Sequence, residues 1–237
     1  MQELSPAGRL AAWGTAALRG DTSPDEAAQM VTGPDDPGHR VSGLPDETDP
    51  VNLAYALGRL RSFGATGLRL VLPRPGDVAG LPGPPSFNEL AVDRGAAVVA
   101  VGSARIGLVP DGRAAWAAHR VEPDPRTAMS LRDAERLLGQ VMREAVELLS
   151  RLDLARWDPA AAEVLGGRTR RSALPPSVPA SAHHVLEQAL RVATIVALAR
   201  GSDGAAVTAG EAQARAAVLR DLDDAARRAV EAACSPS

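Results

Sequence analysis

The residues best suited to chemistry sit in and after one long loop, Pro73 to Ser86. It reads Pro-Arg-Pro-Gly-Asp-Val-Ala-Gly-Leu-Pro-Gly-Pro-Pro-Ser, and Phe87-Asn88-Glu89 follows. Arg74 carries a planar fork of donors that matches a carboxylate or a phosphate. Asp77, Ser86 and Asn88 add hydrogen-bonding groups near it, and His119 adds an imidazole from a later strand-like segment. Loops this long inside a compact domain tend to be functional or disordered, and prolines stiffen this one. It leaves the end of a strand over 67–72, the side on which α/β folds place ligands. Arg74, Asp77, Ser86, Asn88 and His119 are therefore the candidate ligand-binding set.

Other reactive combinations are incomplete. All the basic residues are arginine, so neither a phosphate-clamping lysine nor a lysine Schiff base is available. No Gly-x-Gly-x-x-Gly joins a strand to a helix, and no Gly-x-Ser-x-Gly elbow occurs. No cofactor is implied. His183 and Glu187 share a helical face and could take part in a metal site, but no second ligand cluster accompanies them. The acidic stretch 21–49 carries Asp21, Asp25, Glu26, Asp35, Asp36, Asp46, Glu47 and Asp49 against Arg40. It lacks the spacing of a calcium loop and reads as a solvated surface or one that meets a basic partner. No metal site is assigned. Cys234 lies in a terminal Ala-Ala-Cys-Ser-Pro-Ser segment expected to fray, without the positive surroundings of a reactive thiolate.

Helices and strands must hold these groups. Ser5-Pro6 and Ser23-Pro24-Asp25-Glu26 are start signals for two short helices, ended by Gly20 and by Gly33-Pro34. Leu10, Trp13 and Ala17 stripe the first. Asp49-Pro50 opens a third helix carrying Leu53, Leu57 and Leu60, and Gly64 stops it. Strand 67–72 then places Leu68, Leu70 and Leu72 on one face. A short helix near 87–93 leads to strands over 96–101, 104–109 and 113–121, joined by Gly102-Ser103 and by Pro110-Asp111-Gly112. Residues 39–42 could add a fifth strand. After Ser130 the pattern becomes helical. Leu131, Ala134, Leu138, Val141, Ala145, Leu148 and Leu152 recur at steps of three and four. A linker-like stretch over 153–180 contains the basic run Arg168-Thr169-Arg170-Arg171. Ser181 caps the next helix and Thr208 the last, with Leu219, Leu222, Ala226, Ala229 and Ala233 as its seam. On the outer face of that helix, Asp223–Arg227 and Asp224–Arg228 are spaced for i,i+4 ion pairs.

The expected fold class is α+β. A small, mostly antiparallel sheet of four to five strands with N-terminal helices occupies 1–129. A helical half, 130–237, packs on it. Aromatic residues make up only 3% of the chain, so the core must be built from Ala, Leu and Val. A formal net charge of −3 argues against nucleic acid as partner. One cysteine and an N-terminus without a signal pattern point to the cytoplasm. No apolar run approaches the roughly 20 residues that span a bilayer. The functional expectation is a cytoplasmic, non-catalytic binding protein whose partner is another protein or a second copy of itself. Its rival is a small-molecule enzyme or sensor with a pocket between loop 73–88 and the sheet.

Several stretches resemble an uncharacterised family of high-GC actinobacterial proteins. They are Ser5-Pro6-Ala7-Gly8-Arg9-Leu10-Ala11-Ala12-Trp13-Gly14, Leu57-Gly58-Arg59-Leu60-Arg61, Leu81-Pro82-Gly83-Pro84, Gly107-Leu108-Val109-Pro110 and Ala225-Ala226-Arg227-Arg228-Ala229. The resemblance spans most of the chain and implies no activity and no catalytic residue.

Overall fold

The structure is a computed structural model that describes residues 3–32, 38–123, 128–151, 174–201 and 209–235. It divides into two units. The sheet unit comprises residues 4–128 together with 173–179 and 234–237. The helical unit comprises 1–3, 129–172 and 180–233.

The sheet unit begins with α1, Pro6–Arg19, where Ser5 accepts a hydrogen bond from the Gly8 N–H at 3.2 Å. Gly20, in the left-handed region at φ 88°, closes it. Its burial exceeds a stripe: Leu10, Ala11, Ala12, Trp13, Ala16 and Ala17 are all buried. Small residues make that possible. A Cβ on Gly14 would overlap Leu68 and press on Leu57, so the glycine lets α1 lie directly against the sheet. Helix α2, Pro24–Thr32, is capped by Ser23, and the Glu26 carboxylate accepts from the Thr22 hydroxyl at 2.5 Å.

The sheet is larger than expected and mixed. Its strands are β1 (Arg40–Ser42), β2 (Val51–Asn52), β3 (Ala65–Val71), β4 (Ala97–Gly102), β5 (Ile106–Pro110) and β6 (Ala115–Arg120). They lie in the order β2-β1-β6-β5-β4-β3, six strands in all. The meander β3-β4-β5-β6 is antiparallel as expected, whereas β1 pairs parallel to β6. Two features caused the difference. Strands β1 and β2 are three and two residues long, too short to show a two-residue period. The pairing of β1 with β6, more than seventy positions away, also leaves no local signature. Helix α3, Leu53–Ser62, is accordingly capped by Asn52, whose Oδ1 accepts from the Tyr55 N–H at 2.8 Å, and not by Asp49-Pro50.

Helix α4, Pro85–Arg94, covers the opposite face. Phe87 and Ala91 pack with Leu81, Val71, Val99, Val109 and Val121. Gly107 opposite them is a packing requirement, because a Cβ there would overlap the Phe87 ring and Val121. The first face is anchored by Trp116, buried like His39, whose Nδ1 accepts from the indole Nε1–H at 2.8 Å.

Strand β3 is an edge, and two of its outward N–H groups are already used. The Thr15 hydroxyl accepts from the Leu68 N–H at 2.8 Å, and the Ser235 hydroxyl accepts from the Leu70 N–H at 2.8 Å. Side chains thus occupy donors that would otherwise invite another strand. Cys234, expected in a fraying terminus, is fully buried.

The helical unit contains α5 (Leu131–Arg151), α6 (Ala180–Gly201) and α7 (Ala209–Cys234). Ser130 caps α5 by accepting from the Asp133 N–H at 3.1 Å. Ala134, Leu138 and Ala145 of its seam are buried. Ser181 lies one residue inside α6 and is not its cap. The seam of α7 is buried throughout, from Leu219 to Ala233. Two ion pairs involve the charged residues beside this seam. Arg227 is buried and meets Asp224 at 3.3 Å, while Asp223 meets Arg200 at 2.8 Å. Arg227 is buried because it lies one position after Ala226, beside the apolar seam. The basic run Arg168–Arg171, Thr208 and most of 153–180 lie outside the described residues.

Candidate functional site

The five residues singled out from the sequence do not share a cavity among those the structure delineates. Arg74 and Asp77 close a tight turn, exchanging backbone hydrogen bonds at 2.9 Å in both directions. The Asp77 carboxylate also accepts from the Ala79 N–H at 3.2 Å. Asn88 turns its Oδ1 to the Gly83 N–H at 3.0 Å, tying α4 to the end of the loop. Ser86 is exposed in the first turn of α4. His119 stands next to Phe87, ring centroids 6.1 Å apart, and its buried Nε2 has no partner among the described residues. It borders a cavity of about 360 Å³ with Gly43, Phe63, Ser103, Arg105 and Arg120.

The loop instead serves a different place through its backbone. The Gly80 carbonyl accepts from an Arg69 guanidinium N–H at 2.8 Å, and the Gly83 carbonyl accepts from the Glu122 N–H at 3.2 Å. Arg69 and Glu122 both line a cleft of about 280 Å³ at the β3 end of the sheet.

This cleft follows from sheet geometry. Val99 and Val101 lie on one strand face, opposite Arg69 and Gly67 of β3. The packing of α4 ends at Val99 and Val121. Beyond it, Val101 faces a glycine, which has no side chain to cover it, and stays 45% exposed. Among the described residues, Arg19 from the end of α1, Arg69 from β3 and Arg105 from the β4–β5 hairpin supply three guanidinium groups, and Glu122 supplies a carboxylate. Thr15, Thr66 and Ser235 add hydroxyls. Arg105 adopts the left-handed conformation, φ 50°, uncommon for a residue with a Cβ. Its carbonyl accepts from the Val121 N–H at 2.9 Å, which holds the hairpin in that conformation.

The hairpin also differs from the sequence reading. Gly102-Ser103 is not a two-residue link: strand β5 starts at Ile106, so Ser103, Ala104 and Arg105 all belong to the connection. Arg69 was visible in principle as the one charged residue between Leu68 and Leu70, necessarily on the other face. Arg19, Arg105 and Glu122 carried no such signal, since only the fold gathers them.

The acidic segment is partly neutralised from within. Arg59 meets Glu47 at 2.9 Å and Asp46 at 3.5 Å. The Tyr55 hydroxyl donates to Glu47 at 2.9 Å, and that bond, with burial second, holds the phenol above its ordinary value. Asp35 and Asp36 lie outside the described residues. Among the described residues no group of three or more His, Cys, Asp and Glu is placed to hold a metal ion. No described helix is long and apolar enough to cross a membrane. In the helical unit a further cavity of about 400 Å³ lies between α6 and α7, with Arg200, Arg215 and Arg220 on its wall.

Residues 7–130 match the model of the Rv1486c-like protein N-terminal domain, and residues 132–231 that of the C-terminal domain. The chain belongs to the Rv1486c-like protein family. Uncharacterized protein Rv1486c of Mycobacterium tuberculosis strain H37Rv is 31% identical over 242 residues, covering 83% of each chain. Uncharacterized protein MT1533 of strain CDC 1551 matches to the same extent. The actinobacterial resemblance read from the sequence is thereby confirmed. No solved structure matches the chain.

Proposed function

We propose that this protein is a cytoplasmic, non-catalytic binding protein, and that it binds a small molecule in the arginine-lined cleft of the sheet unit. One observation carries the reading: the 280 Å³ cleft joins an apolar floor to a rim of guanidinium and hydroxyl groups. Small-molecule sites combine apolar surface with placed polar groups, and this cleft carries both in similar measure. The volume lies just below the usual range of about 300–1,000 Å³, which suits a small metabolite and not a large cofactor. The buried, single thiol of Cys234 supports a reducing compartment.

The rival reading, an enzyme or sensor built around loop 73–88, shares the same place. The loop reaches the cleft through the Gly80 carbonyl on Arg69. Thermal unfolding of the full chain across a panel of small metabolites separates the readings. A ligand at one hundred times its Kd stabilises by about 2.7 kcal/mol. Val101→Trp fills the exposed floor and is expected to abolish that stabilisation. Stabilisation that persists in the variant places the ligand elsewhere and contradicts the proposal. A ligand recovered chemically changed favours the enzyme.

A further inference from the structure

We infer that the cleft accepts a small amphiphilic anion, a single carboxylate or phosphate group on a short apolar body. This rests on the cleft being a binding site and names the class of its ligand. Val99, Val101 and Val121 form a floor with no polar side-chain atom, so the body of the ligand is hydrocarbon. The charge on the walls is opposite in character. Among the described lining residues Arg19, Arg69 and Arg105 outnumber Glu122, although the whole chain is acidic. Such a local reversal attracts an anion against the overall field.

Arg69 and Arg105 are prepared for different roles. Arg69 is already engaged, one of its donors held by the Gly80 carbonyl. The side chain of Arg105 makes no hydrogen bond or ion pair with a described residue, so all five of its donors are open. Its left-handed backbone is the kind of conformation that persists where surrounding structure imposes it, and such positions cluster at ligand sites. Glu122 offers no donor to an anion. Its charge on the same wall disfavours polyanions, which leaves a single acidic group as the best match.

The test uses the full chain, isotope-labelled, titrated at constant ionic strength with sodium hexanoate, hexyl phosphate and hexanol. Amide shifts of Arg69, Val101, Gly102 and Arg105 are followed. Hexanoate or hexyl phosphate is expected to shift them saturably, and the tighter of the two identifies the acid group. Hexanol is expected to bind at least about tenfold more weakly, and Arg105→Gln to weaken the acids by about tenfold, the equivalent of one charge-assisted hydrogen bond. Hexanol binding as tightly as the acids overturns the anion and leaves the binding cleft standing. Equal acid binding by the wild type, Arg105→Gln and Arg69→Gln overturns it too. So does the absence of any saturable shift, whatever the metabolite panel shows.

Discussion

Thr15→Val removes a hydroxyl while keeping the shape of the side chain, and it tests how the edge of the sheet is sealed. Thr15 is 5% exposed in the middle of α1. Its hydroxyl accepts from the Leu68 N–H at 2.8 Å and lies 2.7 Å from the Ala11 carbonyl and 3.1 Å from the Leu68 carbonyl. The Ala11 carbonyl keeps its helical partner, so its loss is small. The Leu68 N–H has no second acceptor on the β4 side, because β3 is an edge strand. A buried donor left without a partner costs about 1–3 kcal/mol. That corresponds to roughly a five- to 150-fold increase in the opening constant of β3. Hydrogen exchange of the Leu68 amide, read by NMR, measures it locally, and urea unfolding measures it for the unit. Thr15→Ser restores the hydroxyl and is expected to recover most of the protection. A Val variant whose Leu68 amide exchanges as slowly as the wild type refutes the account of the edge.

Four further outcomes are expected. Ser235→Ala frees the Leu70 N–H at a half-buried position, with a loss of about 0.5–1.5 kcal/mol and faster exchange at Leu70 in the same NMR experiment. Gly107→Ala drives a methyl into the Phe87 ring and costs about 1–3 kcal/mol in denaturant unfolding, a penalty that Phe87→Leu partly relieves. His39→Leu leaves the buried Trp116 indole N–H without its acceptor and costs about 1–3 kcal/mol, with the tryptophan emission altered in the folded state. The Asp133 carboxyl, bonded to the Ser130 hydroxyl and then to Arg136, titrates below the usual aspartate range. Its help to the start of α5 is therefore present above the unfolded value of about 3.9 and lost as the pH falls through the lower folded value. Carbon-detected NMR titration of Asp133 checks the direction.

Local chemistry made much of this fold legible. Ser5, Ser23 and Ser130 cap helices because a hydroxyl before a helical run is a local signal, complete within four residues. The strands around Leu68, Val98, Leu108 and Trp116 showed themselves through alternation and through the Pro110-Asp111-Gly112 turn. What escaped was non-local. Strands β1 and β2 are too brief to alternate, and their place is decided by the pairing of β1 with β6 and of β2 with β1. The cleft escaped for the same reason. Loop 73–86 drew attention to its polar side chains, yet Asp77 and Asn88 satisfy the backbone of that region. The groups that meet in the cleft, Arg19, Arg69, Arg105 and Glu122, come from four separate segments. No spacing rule joins them. Arg69 alone had a local signal, a charge between two buried leucines, and it was passed over.

A crystal structure of the full chain grown with hexanoate tests the central claim most directly. The account predicts the carboxylate within hydrogen-bonding distance of Arg105 or Arg69, with the hydrocarbon lying on Val101. A saturated crystal with that cleft empty, or with the acid bound instead beside His119 or between α6 and α7, contradicts it.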